Sequence, residues 1–309
     1  SADPKAPFFI VGIGASAGGL DSLEKLFKNM IDKSGMAFVV IQHLSPDYKS
    51  LMVELLSKHT RMKIHRAEDD MPVVPDNVYL IPRKRNLTIS DGRLHLEGQE
   101  AHGLNLPIDV FLKSLAEDHG ERAIGIILSG TGSDGSRGLR SIKERGGLVL
   151  VQDSSSAKFD GMPSSAISTG LVDFILTPEK MPGELLRYIQ HPCSARTDDG
   201  GDLPQEKVNY LNEALGLLKE RSGVDFSVYN LTTVNRRIER RMSINQIDTV
   251  GDYTRLLRES PGELDTLHRE LLIGVTSFFR DPEAFRIIES TVIPAIFHEK
   301  PANEPLRCW

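Results

Sequence analysis

The chain has 309 residues, a net charge of −6, 39% hydrophobic content and two well-separated cysteines, Cys193 and Cys308. That length suits two domains, the mildly acidic balance gives no general reason to expect nucleic-acid binding, and the cysteines form no disulfide framework, which fits a reducing cytoplasm. No apolar run reaches the roughly 18 residues of a membrane span, and the N-terminus lacks the pattern of a signal peptide.

From Phe8 to about Gln190, strand-like and helix-like segments alternate. "FFIVGIGA" is a short apolar run rich in β-formers, and Leu23, Leu26, Phe27 and Met30 follow at helical spacing. "MAFVVIQH" reads as a second buried strand and "NVYLIP" as another. Asp91-Gly92 between "LTIS" and "RLHL" is a two-residue hairpin signal. Then come a helix at "IDVFLKSLAEDHG", a strand at "AIGIILSG", a helix at "SRGLRSIKERGG" and a strand at "LVLVQD". A short helix at "SSAISTG", a strand at "LVDFIL" and a closing helix with Pro178 near its start complete the series. Such alternation implies parallel βαβ units, so the spacing predicts a doubly wound α/β domain, mostly parallel, with an inserted β-hairpin over residues 7–190. Residues 191–205 are polar, rich in Gly and Pro and aperiodic, as a linker is. Beyond them, residues 206–300 carry only helical periodicity, with Thr233 and Asp281-Pro282 as helix starts, and predict a small all-α domain.

The glycine cluster after the first strand admits two chemistries. Gly12-x-Gly14-x-x-Ala17 matches a dinucleotide fingerprint, whose helix N-terminus would receive a pyrophosphate. That motif also needs an acid at the end of the second strand, where this chain has Gln42-His43. The rival reading puts a nucleophile at Ser16, in the strand-to-helix turn, with the Ala17 amide and the following helix facing an oxyanion. His43, at the end of the next strand, is the candidate base, and Asp134, in "LSGTGSDGSRG", the carboxylate that orients it. Each residue also has a plain reading: Ser16 as a helix cap, His43 as a strand-end histidine bonded to backbone, Asp134 as the cap of a helix starting near Ser136. His59, His65, His102 and His119 have no paired-ligand spacing, so no metal is expected.

In order, "GIGASAGG", "IQHLSP", "VYLIP", "IDVFLKSLA", "LSGTGSDGSRGL", "GGLVLVQD" and "GMPSSAI" resemble the catalytic domain of the CheB-type chemotaxis receptor-glutamate methylesterases over residues 7–190. The resemblance implies hydrolysis of glutamyl methyl esters on the cytoplasmic helices of chemoreceptors, which many members extend to deamidation of receptor glutamines. It implies Ser16 as nucleophile, His43 as base, Asp134 as the aspartate, the amides of Ala17 and Thr131 as oxyanion donors, and no cofactor. The chain departs from the family's pattern in having Ala17 where Thr is common, Thr131 where Met is common, and "QHLSPDYKS" after the second strand; the first two act through backbone, and the third bears on the substrate groove. The receiver domain that usually precedes this domain does not occur in the sequence, so control by aspartyl phosphorylation within the chain is not expected.

The helical part, in "DFSVYNLTTVNRRIERRM" and "LLIGVTSFFRDPEAF", resembles the N-terminal domain of CheR-type receptor methyltransferases. Arg236, Arg237, Arg240 and Arg241 share one helix face, which is either a solvated charged face or, as the resemblance implies, a contact for an acidic receptor helix. Arg280 would reach S-adenosylmethionine in an intact transferase, whose cofactor domain residues 301–309 would begin, so methyl transfer is expected only if that domain is present. Together these features predict a methylesterase within a chemotaxis-like signalling fusion, partnered by methylated receptor helices and by further signalling domains of the same polypeptide. The alternative is a non-catalytic sensory or docking module.

Overall fold

In the computed structural model, residues 8–42, 51–98, 105–193, 204–273 and 286–294 are described. Apolar runs with no polar face become the middle of a parallel sheet, because such strands must be covered on both sides. β1 (Ile10–Ala15) and β2 (Ala37–Gln42) are buried almost throughout. With β3 (Lys63–Arg66), β5 (Asn77–Leu80), β8 (Ala123–Ile127), β9 (Leu148–Gln152) and β10 (Phe174–Leu176) they form a seven-stranded sheet in the order β10-β9-β8-β1-β2-β5-β3, all parallel. β1 therefore lies between β8 and β2, where the winding reverses. In open α/β sheets that reversal is where ligand crevices form.

Two apolar clusters mark the two faces. α1 (Gly19–Asn29), α2 (Leu51–Leu56) and α6 (Met181–Gln190) cover one; α3 (Pro107–His119), α4 (Ser136–Glu144) and α5 (Gly161–Ser168) cover the other. β4 (Met71–Pro72), β6 (Arg85–Ser90) and β7 (Arg93–Gly98) make a separate antiparallel sheet, order β4-β7-β6, whose Leu87, Ile89 and Leu94 join the α3 side. Asp91 and Gly92 both have positive φ, 51° and 68°, as a type I′ hairpin turn requires. The Asp118 carboxylate on α3 accepts both of their amides, at 2.6 and 3.1 Å. The doubly wound sheet with an inserted hairpin is thus present; β3, β4 and α2 are additions to the segments the pattern predicts. α6 begins at Met181 with Pro182 in its first turn, so Pro178 precedes the helix.

The helical part consists of α7 (Gln205–Ser222), α8 (Leu231–Asn245), α9 (Val250–Glu259) and α10 (Pro261–Leu272) around Leu211, Leu218, Phe226, Ile238, Tyr253 and Leu267. Side chains cap three of these helices: Asn230 for α8, Thr249 for α9 and Ser260 for α10. Thr233 accordingly falls inside α8 rather than at its start, because the Asn230 side chain already takes the Thr232 amide at 2.8 Å. Asp281-Pro282 lies outside the described residues. The chain divides into two compact units, one up to Ile273 and one from Gly274, and residues 286–294 of the second are helical. Among the described residues no helix is long and apolar enough to cross a membrane.

Candidate active site

β1 and β2 end level, with Ala15 opposite Gln42, and Gly14 pairs with Ile127 on β8. The turns that follow β1 and β8 are therefore neighbours at the sheet's carboxyl edge. Ser16 follows β1 directly. Its amide donates to Ser129 O at 3.0 Å, and its carbonyl accepts the Gly19 amide at 2.9 Å. The turn closes through Gly18 at φ 72°, where an added Cβ would stand 2.8 Å from both Lys158 Cβ and Ser129 Oγ. The residue must be glycine for both reasons. Gly12 and Gly14 serve otherwise. A Cβ on Gly12 would meet Leu112 at 2.7 Å, and one on Gly14 would meet Ile108 at 2.5 Å. They let α3 press onto β1, which is a packing reason for the first two glycines of the apparent dinucleotide motif.

The loop after β8 folds against Ser16. An added Cβ on Gly130 would lie 2.9 Å from Ser16 Cβ and closer still to Met162 Sδ. Gly130 is held by its amide on Phe159 O, and its carbonyl takes the Met162 amide, both at 2.9 Å. The next residue, Thr131, is exposed. Among the described residues the amides of Ala17 and Thr131 have no intramolecular acceptor. They lie on the two abutting turns, beside an α1 N-terminus whose macrodipole favours negative charge.

Asp134 is 4% exposed. Its Oδ2 accepts the Ile108 amide at 3.0 Å and its Oδ1 the Asp109 amide at 2.9 Å. It therefore caps α3, not the helix that follows it in sequence. Asp109 returns the arrangement: its Oδ1 accepts the Gly138 amide at 2.8 Å in the first turn of α4. Two helix N-termini that converge on one point are thus each capped by a carboxylate from the other side. Burial pushes the Asp109 carboxyl above its ordinary value, against the amide bonds and with the nearby Asp134 charge. A carboxylate oxygen can accept more than one hydrogen bond, so these two amides do not exclude an imidazole as a further partner. His43, next after Gln42, lies outside the described residues, as does Arg280.

The arginine face is placed differently from the expectation of a receptor contact. Arg237, Arg240 and Arg241 are at most 7% exposed. Arg237 donates to Lys143 O at 3.0 Å and Glu144 O at 2.8 Å, and Arg240 to Gly146 O and Gly147 O at 3.0 and 2.8 Å. These are carbonyls at the carboxyl end of α4, which a helix leaves without internal partners. Arg240 also pairs with Asp173 and with Glu270, the latter at 2.7 Å, and Arg241 pairs with Glu263 at 2.6 Å. This face is consumed in joining α8 to the α/β part, so these three arginines are not presented to a receptor. Arg236 remains near the surface, 3.8 Å from Glu121.

An open groove lined by Arg61, His65, Met71 and Tyr79 lies at the amino ends of β2, β5 and β3, the opposite edge from Ser16. It gathers no nucleophile and base. Among the described residues no cluster of three or more His, Cys, Asp or Glu side chains suits a metal ion. Sequence reasoning missed Asp109, Ser129 and Gln152. The last two carried a legible signal, a polar residue ending an otherwise apolar strand at the carboxyl edge.

The family model of the CheB methylesterases matches residues 11–185. The chain belongs to the CheB methylesterase family. The matched span contains Ser16, Ser129, Thr131 and Asp134. The all-alpha domain of CheR methyltransferases matches residues 210–272, so a CheB-family domain is followed by a CheR-type one. The CheB methylesterase catalytic domain of Thermotoga maritima is 30% identical over 58% of this chain and 97% of that one, with a TM-score of 0.54. The protein-glutamate methylesterase FrzG of Myxococcus xanthus is 32% identical over 61% of this chain and 57% of its own length. A 104.1 kDa protein from the hypE 3′ region of Rhodobacter capsulatus is 38% identical over 84% of this chain but only 29% of its own length. The chain thus spans well under two thirds of these two relatives.

Proposed function

We propose that the α/β part is a serine methylesterase acting on glutamate γ-methyl esters of chemoreceptor helices in the cytoplasm, with receptor glutamine amides as second substrates. What carries this reading is the nucleophile turn itself. Ser16 follows β1 at the reversal of the sheet, flanked on two abutting turns by the uncommitted amides of Ala17 and Thr131. In the proposed mechanism, Ser16 Oγ attacks the ester carbonyl while His43 takes its proton. Asp134, held by α3, orients the imidazole and stabilises its charged form. The carbonyl oxygen, now negative, receives the Ala17 and Thr131 amides. Methanol leaves with the proton from His43, and water activated by the same imidazole releases the glutamate carboxylate. The reaction needs no metal or organic cofactor. Arg236, of the four arginines, remains the candidate receptor contact.

Ser16→Ala is expected to fold as wild type, seen in its thermal melt, and to lose methanol release from a peptide bearing glutamate γ-methyl ester by more than the ~10²–10³-fold that loss of one oxyanion donor costs. A fluorophosphonate probe should label wild type and not this variant. Turnover undiminished by the substitution refutes the assignment.

A further inference from the structure

We propose that Ser129, buttressed by Gln152, is a positioning residue that sets the spacing between the two oxyanion amides. The proposal rests on the esterase reading and deepens it. Ser129 is completely buried and Gln152 is 1% exposed, although both are polar and stand at the carboxyl ends of β8 and β9. A buried polar group persists only where it is bonded, and every polar group of Ser129 is used. Its carbonyl accepts the Ser16 amide at 3.0 Å. Its hydroxyl proton is shared between Ala17 O at 2.9 Å and Phe159 O at 3.2 Å, while Oγ accepts the Phe159 amide at 3.0 Å. Its own amide goes to Gln152 Oε1 at 2.8 Å, and Gln152 Nε2 donates onward to Ser156 O at 3.1 Å.

The consequence concerns one peptide plane. The Ala17 N–H belongs to the 16–17 peptide. The peptide groups on both sides of it, through the Ser16 amide and the Ala17 carbonyl, are tied to Ser129. Thr131, whose amide is the second donor, is two residues further along the same loop, and the Phe159 carbonyl anchors Gly130 between them at 2.9 Å. One side chain and its backbone thus index both donors to one origin. Oxyanion donors act only when both reach about 2.7–3.1 Å from the developing charge, and misplacement by about 1 Å can cost ~10²-fold. Gln152 fixes that origin from a third strand.

The test measures methanol release from a glutamate γ-methyl ester peptide, and second-order fluorophosphonate labelling of Ser16, per folded chain of residues 1–309. Ser129→Ala is expected to lower kcat by about 10–10²-fold with KM within about twofold, and to slow labelling in parallel. Gln152→Leu, which keeps Ser129, should do the same to a smaller degree and carries the test if Ser129→Ala does not melt cooperatively. An active wild type with kcat unchanged in the folded variant overturns the positioning role alone. A wild type that neither turns over nor labels removes the esterase reading and this proposal with it.

Discussion

At the scale of single residues, the opening loop turns on what occupies the space a side chain would take. Gly14 has Ile108 Cγ2 at 2.5 Å and Ile127 Cδ1 at 2.8 Å from an ideal Cβ. Gly14→Ala must push α3 away or force a rotamer, and overpacking of this kind costs about 1–3 kcal/mol. Chemical denaturation should show that loss, with an unchanged m-value if the unfolded state is unaffected. The nearby turn would keep its shape, because Ser16 and Gly18 are held by the β8 loop rather than by α3. Ile108, however, which an added Cβ would displace, gives its amide to Asp134, so Gly14→Ala is expected to lower kcat as well as stability. A variant inactive at full stability would show that Gly14 has a role in the site itself.

At the scale of elements, α4 is gripped at both ends. Its first turn gives the Gly138 amide to Asp109, its last turn gives carbonyls to Arg237, and the two glycines just beyond give carbonyls to Arg240. The helix is short, nine residues, and isolated helices of that length do not persist in water. Its order comes from those caps and from Leu139 and Ile142 in the core. Asp109→Ala removes one cap and should destabilise by about 1–2 kcal/mol. Because Asp134 precedes the same turn, this variant should also lose activity, which Ser16 labelling and thermal melting measure side by side. Full activity with lowered stability would show that the Asp134 loop is held without Asp109.

At the scale of the molecule, the CheR-type helices are joined to the CheB-type sheet by buried charge. Lys143 lies between Asp173 at 2.5 Å and Glu270 at 2.9 Å, and Arg240 and Arg241 close the cluster. Burial alone would push the Glu270 carboxyl up, but Arg240, Lys143 and Arg241 hold it well below its ordinary value of 4.5. A carboxylate with a depressed folded value adds stability that is complete above that ordinary value and is lost as pH falls beneath it. Wild type should therefore lose stability on acidification below about 4.5. Glu270→Gln, which strands the cations, should cost ~3–5 kcal/mol at neutral pH, and the gap should narrow in acid. Thermal melts of both proteins from neutral pH to pH ~3 check this; a gap independent of pH would mean that Glu270 contributes no charge to the junction. Arg240→Ala should destabilise by a similar ~3–5 kcal/mol, and by breaking the junction should separate the melting of the helices from that of the sheet.

The α/β alternation, the Asp-Gly hairpin and the position of Ser16 at a strand-to-helix turn were all legible in the chain, because each depends on local periodicity or local turn chemistry. The helical character of the second part was legible for the same reason. What the arginines of α8 touch was not. A basic stripe on a helix is the same string of letters whether it meets solvent, a receptor or the carbonyls ending α4, and only the packing of elements 93–94 residues apart decides. The caps behave likewise. Asp134 precedes one helix and holds the start of another, since a carboxylate bonds to whichever amides the fold converges on it.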